Sequence, residues 1–197
     1  MKSHSRSKAV LVVLLAISLL ATGCSAQWIS VALADLPVLV QMALNIGTVV
    51  TTLQSGQQLT AADAAAIQNI SNEASKDLNL LQSLYNDYKA SASTATLQKI
   101  QGVIADINTN LPALLQAAHI SDAALSVRIT AAVNLILATV NSFASLIPAT
   151  GAAAMHAQIA NQKVAIPHTK DLKKQWNQQV CAPTGASGSP LSGCAVK

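Results

Sequence analysis

Side chains able to do chemistry are few in this chain and lie far apart. Of its eight carboxylates only Glu73 is a glutamate, and it has four histidines and three cysteines. Acid–base catalysis needs two carboxylates, or a histidine and an acid, brought together. The sequence has no His-Glu-x-x-His, no Cys-x-x-Cys-His and no Gly-x-x-x-x-Gly-Lys. We therefore predict no catalytic centre, no cofactor and a protein that is not an enzyme.

The histidines give no spacing typical of a metal site. His119 is expected at the end of a helix, where it can donate to free carbonyl groups. His156 and His168 stand far apart in the C-terminal part of the chain, with Met155 beside His156. A metal held by that histidine pair stays open as an alternative, but two ligands do not make a typical closed site. We expect no bound metal.

Cys181 and Cys194 are the best-defined pair of reactive side chains. The segment between them is rich in glycine, serine and proline. Their spacing fits neither a zinc site nor a redox dithiol, whereas an even pair of cysteines in an exported protein indicates a disulfide. Closing so short a loop contributes at most about 3 kcal/mol. We predict a disulfide that staples an otherwise loose C-terminus.

The N-terminal segment has the order of features of an export signal. A basic stretch precedes an apolar run over residues 9–20 that is too short to span a bilayer, and small residues then lead to Cys24. The basic residues are Lys2, Arg6 and Lys8. Because Cys24 directly follows Gly23, the segment resembles the lipobox of bacterial lipoproteins, although Leu20 lies one position earlier than in the commonest form.

This resemblance covers only about residues 1–25. It implies that residues 1–23 are a signal peptide and that Cys24 carries a diacylglycerol group and becomes the mature N-terminus. It also implies a protein of the bacterial cell envelope, facing the periplasm or in the outer membrane, and Ser25 favours the outer membrane. Ordinary cleavage after Ala26 is the alternative, and in both cases the chain leaves the cytoplasm.

Charged residues make up 10% of the chain, well below the ~25% of an average domain. Such a surface titrates little, so we expect stability to depend weakly on pH. The basic residues do not form the dense stripe typical of nucleic-acid binding. They gather instead in the tail, where Lys170, Lys173 and Lys174 form a cluster. We interpret this cluster as either a solvated face or a contact with anionic lipid headgroups, each lysine contributing ~1 kcal/mol.

Four segments repeat apolar residues every three or four positions, as amphipathic helices do. The first is predicted to begin at Asp35, with Pro37 in its first turn, and to end near Leu53. The second follows Thr60, and Asp63 three residues later completes a signal like a capping box. Tyr85 and Tyr88 lie on its apolar stripe, and we expect their rings to pack and their hydroxyls to reach the surface.

The third segment is predicted to begin at Ser93 or Thr94 and to end or kink near Asn110, before Pro112. The fourth should begin after Ser121 as its N-cap. It should end at Pro148, since proline and glycine follow there. Beyond this point we expect a short helix capped by Thr169. Alternating strand patterns are missing, so the sequence predicts an all-α protein.

Together these features predict an up-and-down antiparallel bundle of four helices over residues 35–150. A short tether over 24–34 should join it to the anchor, and an irregular, basic, disulfide-stapled tail should occupy 151–197. We expect a lipid-anchored envelope protein with a binding or structural role, whose partner is another envelope protein or its own copies. The alternatives are a membrane-active protein that inserts its first helix and a carrier of a small lipophilic ligand.

Overall fold

The computed structural model describes residues 27–55, 59–147, 168–182 and 194–197, and all of its regular secondary structure is helical. The all-α prediction is therefore confirmed. The predicted signal, Cys24, Met155 and His156 lie outside these ranges. The helices are α1 (Gln27–Ser55), α2 (Ala61–Ala90), α3 (Thr94–Ala117), α4 (Ala123–Leu146) and α5 (Thr169–Gln179).

The first four helices form the predicted up-and-down bundle. Each packs against the next along the chain, and α4 also packs against α1. Side chains join neighbouring helices at several levels: Ser71 on α2 donates to the Ala43 carbonyl on α1 at 2.7 Å. Asn108 on α3 and Asn141 on α4 exchange hydrogen bonds of 2.8 and 2.9 Å. Short connections between the helices leave only the antiparallel arrangement.

The core is built from the apolar stripes of all four helices. Burying each large aliphatic side chain contributes about 1.5–3 kcal/mol, so this set supplies most of the driving force for folding. Fully buried members include Leu36, Leu39, Ile46, Ile67, Ile70, Leu78, Leu81, Ile100, Ile107, Ile129, Ile136 and Phe143. The α1–α2 pair is especially close, because a Cβ at Gly47 would lie 2.9 Å from the Ser71 hydroxyl oxygen.

Helix α1 begins earlier than predicted. It starts at Gln27 rather than Asp35, so residues 27–34 are helical and do not form a tether. The reason is the apolar stripe, which continues backwards from Leu36 through Ala32 and Ile29, both buried. Pro37 consequently lies inside the helix, on an exposed position.

Two other predicted helix boundaries differ from the structure, since α3 does not end near Asn110 and Ser121 is not the N-cap of α4. Helix α3 passes through Pro112 and continues to Ala117, because burial of Leu111 and the packing of Leu114 on the core offset the cost of the missing amide. The N-cap of α4 is Asp122, whose carboxylate accepts from the Leu125 amide at 2.6 Å, and not Ser121.

The predicted start of α2 is confirmed. The Thr60 hydroxyl accepts from the Asp63 amide at 3.1 Å, as an N-cap should. The Asp63 carboxylate in turn accepts a hydrogen bond from the Thr60 side chain. It also accepts hydrogen bonds from the backbone amide and the hydroxyl of Ser121, which explains why Ser121 is not the cap of α4. The start of α2 is thereby joined to the connection between α3 and α4.

Candidate functional site

The two most apolar helices, α1 and α4, lie side by side. Ile29–Val50 and Ala123–Leu146 are long and apolar enough to cross a membrane by length and composition alone, and about half of each is buried inside the bundle. Each helix carries one charged residue, Asp35 in α1 and Arg128 in α4. Both charged side chains are buried, with 2% and 8% of their surface exposed. Such isolated buried charges need a partner.

The partner of both charges is α5, which packs across α1 and α4. Its buried residues Leu172, Trp176 and Val180 follow one another every four positions, so they form a single stripe along one face. A helix of eleven residues is not stable alone in water. The position of α5 therefore depends on this stripe and on the polar contacts at its two ends.

Asp35 holds the N-terminal end of α5. Its carboxylate accepts hydrogen bonds from the hydroxyl and the backbone amide of Thr169. The N-cap residue of α5 is His168, not the predicted Thr169, and its side chain makes no capping hydrogen bond. An aspartate from another helix thus satisfies one of the free amides in the first turn of α5. Burial raises the pKa of Asp35, and the Thr169 hydroxyl and nearby His168 partly oppose that rise.

Arg128 holds the opposite end of α5. Its guanidinium donates to the Val180 carbonyl at 2.8 Å, in a buried position. Val180 is the C-cap of α5, so a positive charge sits where the helix dipole is negative. Asp35 makes the complementary contact at the positive end. The two apolar helices therefore each supply one charge to the dipole of α5.

The predicted disulfide is present between Cys181 and Cys194, with a Cα–Cα distance of 5.6 Å. The Cys194 carbonyl accepts from the Trp176 indole N–H and from the Asn45 amide on α1, both at 2.9 Å. Asn177 exchanges hydrogen bonds of 3.2 and 3.0 Å with the backbone of Val196. Across 168–182 and 194–197 the chain is packed on the bundle, so the expectation of a loose C-terminus was wrong there.

Lys170, Lys173 and Lys174 all lie on α5. Lys170 and Lys174 are exposed one turn apart, and the half-buried Lys173 donates to the Lys197 carbonyl at 2.5 Å. Asp171 is exposed on the same helix. The structure thus places the predicted cluster on one helix, with Lys197 of the 194–197 segment beside it. The contact of these lysines with headgroups stays a prediction.

Among the residues that the structure describes, the remaining candidate groups do not assemble into a reactive site. His119 and His168 are exposed, and His119 follows the end of α3, as predicted, with a φ of 41°. Across the described ranges no three histidine, cysteine or carboxylate side chains come together to hold a metal. Tyr85 is fully buried, so its hydroxyl does not reach the surface as expected, and burial raises its pKa. Tyr88 is half-buried and packs against the core.

One buried carboxylate is poorly compensated. Asp77 on α2 is 6% exposed, and one of its oxygens has no hydrogen-bond partner. Burial raises the pKa of Asp77, and the neighbouring carboxylates of Glu73 and Asp106 raise it further, while Lys76 opposes them. Asp106 lies on α3, so this charge sits between two helices. Asp77, Glu73 and Asp106 are not among any group of side chains that could hold a metal ion in the described part of the chain.

Sequence reasoning missed the residues that attach the C-terminal segment, namely Asp35, Asn45, Arg128 and Trp176. Two signals could have identified them. A single charge in an otherwise apolar helix indicates a specific buried partner. The spacing of Leu172, Trp176 and Val180 predicts an inward face for α5. Which surface receives that face is not encoded in any local pattern.

Comparison of the chain with protein-family models, with curated proteins and with solved structures gives no match.

Proposed function

We propose that this protein is a lipid-anchored component of the bacterial cell envelope with a binding or structural role and no catalytic activity. The observation that carries the proposal is the lipobox-like segment that ends at Cys24, three residues before α1 begins at Gln27. Three residues extend at most ~10 Å. An acyl group on Cys24 would therefore keep the bundle directly at the membrane surface.

The Cys181–Cys194 disulfide supports an exported location. Structural disulfides persist in oxidising compartments such as the periplasm and are rare in the cytosol. Both cysteines are buried, with the Cys194 carbonyl held by Trp176 and Asn45. The bridge therefore belongs to the packing of α5 and is not placed for exchange with other thiols.

The use of the buried charges supports a role without catalysis. Asp35 and Arg128 are occupied at the two ends of α5, and Asp63 is occupied by Ser121. Charged groups that hold helices together in this way are not free to exchange protons with a substrate. A partner would meet the outer faces of the helices, which are mostly amides, hydroxyls and alanines.

Mass spectrometry of the protein purified from bacterial membranes tests the anchor. We expect a mature chain that begins at Cys24 and carries a diacylglycerol mass, and a membrane-bound pool that Cys24→Ala abolishes. Ser25→Ala is the matched control and should remain acylated. A mature chain that begins at Gln27 without fatty acid would show ordinary cleavage after Ala26 and would contradict the proposal.

A binding role is tested by chemical crosslinking in intact cells, followed by affinity capture of the acylated protein. Exposed lysines on α2, α3 and α5 provide sites for an amine crosslinker. We expect either a defined envelope protein or a second copy of this chain. A protein that yields no crosslinked species and has a monomeric mass in detergent would contradict this role.

The apolarity of α1 and α4 favours a second candidate, a membrane-active protein that inserts these helices. Their burial in the bundle means that insertion would require α5 to leave Asp35 and Arg128. Dye release from vesicles, measured with the purified protein before and after disulfide reduction, tests this candidate. Vesicles that stay sealed under both conditions exclude it.

A further inference from the structure

The exposed charges of the described residues are divided between two sides of the bundle. Helices α2 and α3 carry three carboxylates and three lysines that are at least partly exposed, namely Glu73, Asp87, Asp106, Lys76, Lys89 and Lys99, whereas their Asp63 and Asp77 are buried. On the other side, the charged residues of α1 and α4 are Asp35 and Arg128, both buried against α5. Apart from Asp122, the exposed N-cap of α4, the exposed charge on that side comes from α5 and residues 194–197.

Those two segments present a basic face, which consists of Lys170, Lys173, Lys174 and Lys197. The hydrogen bond from Lys173 to the Lys197 carbonyl holds the two segments together. Asp171 is the one carboxylate on α5. Within the described ranges the single ion pair between side chains joins Lys76 to Glu73 on α2, so no carboxylate side chain forms an ion pair with the lysines of the basic face.

The basic face is fixed in position relative to the bundle. Asp35 and Arg128 hold the two ends of α5, and the disulfide and the two hydrogen bonds to the Cys194 carbonyl hold residues 194–197. Of these lysines, Lys170, Lys174 and Lys197 are exposed, and Lys173 is half-buried. Their binding to a charged surface costs little ordering of the backbone.

The basic face also lies near the start of α1. Thr169, the first residue of α5, contacts Asp35, which is eight residues after Gln27 and hence ~12 Å along the helix. Cys24 precedes Gln27 by only three residues. With the bundle lying on its α5 side, an acyl chain on Cys24 and the basic face could reach the same membrane surface.

We propose that the basic face binds the headgroups of anionic phospholipids and holds the bundle on its side, with α1 parallel to the membrane. This inference rests on the proposed lipid anchor, which tethers the bundle to the bilayer. The attraction acts when the face comes within a Debye length of the headgroups, about 8 Å at physiological salt. Anionic headgroups complement a rigid group of four lysines with one nearby carboxylate. The opposite side, where exposed carboxylates and lysines are equal in number, faces away from the bilayer.

Lysine labelling of the full mature protein tests this orientation. The protein is purified from bacterial membranes and reconstituted into vesicles of phosphatidylcholine, either alone or mixed with phosphatidylglycerol. An amine-reactive reagent is added, and mass spectrometry measures modification of each lysine. We expect labelling of Lys170, Lys174 and Lys197 to fall several-fold on phosphatidylglycerol, with recovery at high salt, whereas Lys99 on α3 stays unchanged.

A charge variant provides the second measurement. In K170Q/K174Q the protection of Lys173 and Lys197 should largely disappear, whereas in the matched variant K76Q/K99Q it should persist. Equal labelling of the basic face on both kinds of vesicle overturns the inference. Protection that persists in detergent and grows with protein concentration would assign the face to a second copy of the chain, and it also overturns the inference.

The failure of the anchor and the failure of the basic face are distinguishable. Intact mass reports the acyl group before any vesicle is added, so a protein without fatty acid contradicts the proposed function alone. Cosedimentation of that protein with phosphatidylglycerol vesicles then decides the inference. An acylated protein whose basic face is not protected contradicts the inference and leaves the anchor intact.

Discussion

The Asp35 carboxylate on α1 accepts hydrogen bonds from Thr169, which lies 134 residues later in the chain. This contact caps α5 from a different helix. The Arg128 guanidinium on α4 makes the corresponding contact with the Val180 carbonyl at the other end. A short helix that would not be stable alone is thereby fixed across the two most apolar helices, and its lysines are held on the outer surface.

Replacement of Asp35 by alanine should weaken the docking of α5. The change removes the acceptor for the Thr169 hydroxyl and amide, and the loss of such a cap costs about 1–2 kcal/mol. Hydrogen exchange of the α5 amides and urea unfolding at neutral pH measure the effect. Asp171→Ala, on an exposed position of α5, should change stability by less than half as much. Equal effects of the two substitutions would show that Asp35 does not cap α5.

Replacement of Arg128 by alanine should destabilise the protein by about 2 kcal/mol, because a buried charged hydrogen bond is lost and the Val180 carbonyl is left without a donor. Urea unfolding measures the change. Lys76→Ala removes a side chain that is 71% exposed, so it serves as the control with an expected change near zero. An unchanged unfolding midpoint for Arg128→Ala would contradict the assignment.

Asp77→Asn should stabilise the protein by about 1 kcal/mol at neutral pH, because it removes a buried charge that has no full set of partners. The folded-state pKa of Asp77 is raised, so protonation favours the folded state. The stability that protonation provides is present below the unfolded pKa of about 3.9 and is lost as pH rises through the folded pKa. The gain from asparagine should therefore disappear in acid. Asp87→Asn, at an exposed position of α2, should give no comparable gain.

The free energy of unfolding should depend only weakly on pH, because the buried aspartates contribute to its pH dependence with opposite signs. Burial raises the pKa of Asp35 and Asp77, so their contributions decline as pH rises through their folded pKa values. The hydrogen bonds from Ser121 lower the pKa of Asp63, so its contribution is present above the unfolded pKa and is lost as pH falls through the folded pKa. Urea unfolding from pH 3 to pH 7 should reveal a steeper fall in acid for Asp77→Asn than for the unmodified protein.

His119→Gly should stabilise the protein by about 1 kcal/mol. His119 has a φ of 41° directly after the C-cap of α3, a position where glycine avoids the strain of a side chain. Ala118→Gly is the matched control, since its φ of −65° is helical and glycine there should destabilise. Thermal unfolding should shift in opposite directions for the two variants. A fall in stability for both would contradict the strain at His119.

Removal of the disulfide by a Cys181→Ser and Cys194→Ser double substitution should cost at most about 3 kcal/mol, given a loop of this size. The loss should fall mainly on α5, since the Cys194 carbonyl accepts from Trp176 and Asn45. Faster hydrogen exchange of residues 169–180, with little change in α2 and α3, is the expected observation. A uniform loss of protection over all helices would show that the bridge supports the whole bundle.

The sequence by itself determined the helical class, the five described helices and the disulfide. Apolar residues repeated at helical spacing bury one face of each segment, and that relation is local. The same local rule explains the misplaced start of α1, because the stripe through Ile29 and Ala32 was assigned to a tether. The apolar stripe also explains why α3 continues through Pro112, since packing of Leu111 and Leu114 outweighs the cost of the missing proline amide.

Only the tertiary structure decided how the C-terminal segment is used. Asp35, Asn45 and Arg128 gained their roles from groups more than fifty residues away, and no spacing along the chain encodes such pairs. Lys170, Lys173 and Lys174 are close together in the sequence. Their arrangement with Lys197 as one face, however, depends on the contacts that hold α5 on α1 and α4. The desolvation cost of a buried charge is offset only where a partner hydrogen-bonds to it, and the fold alone determines which group that partner is.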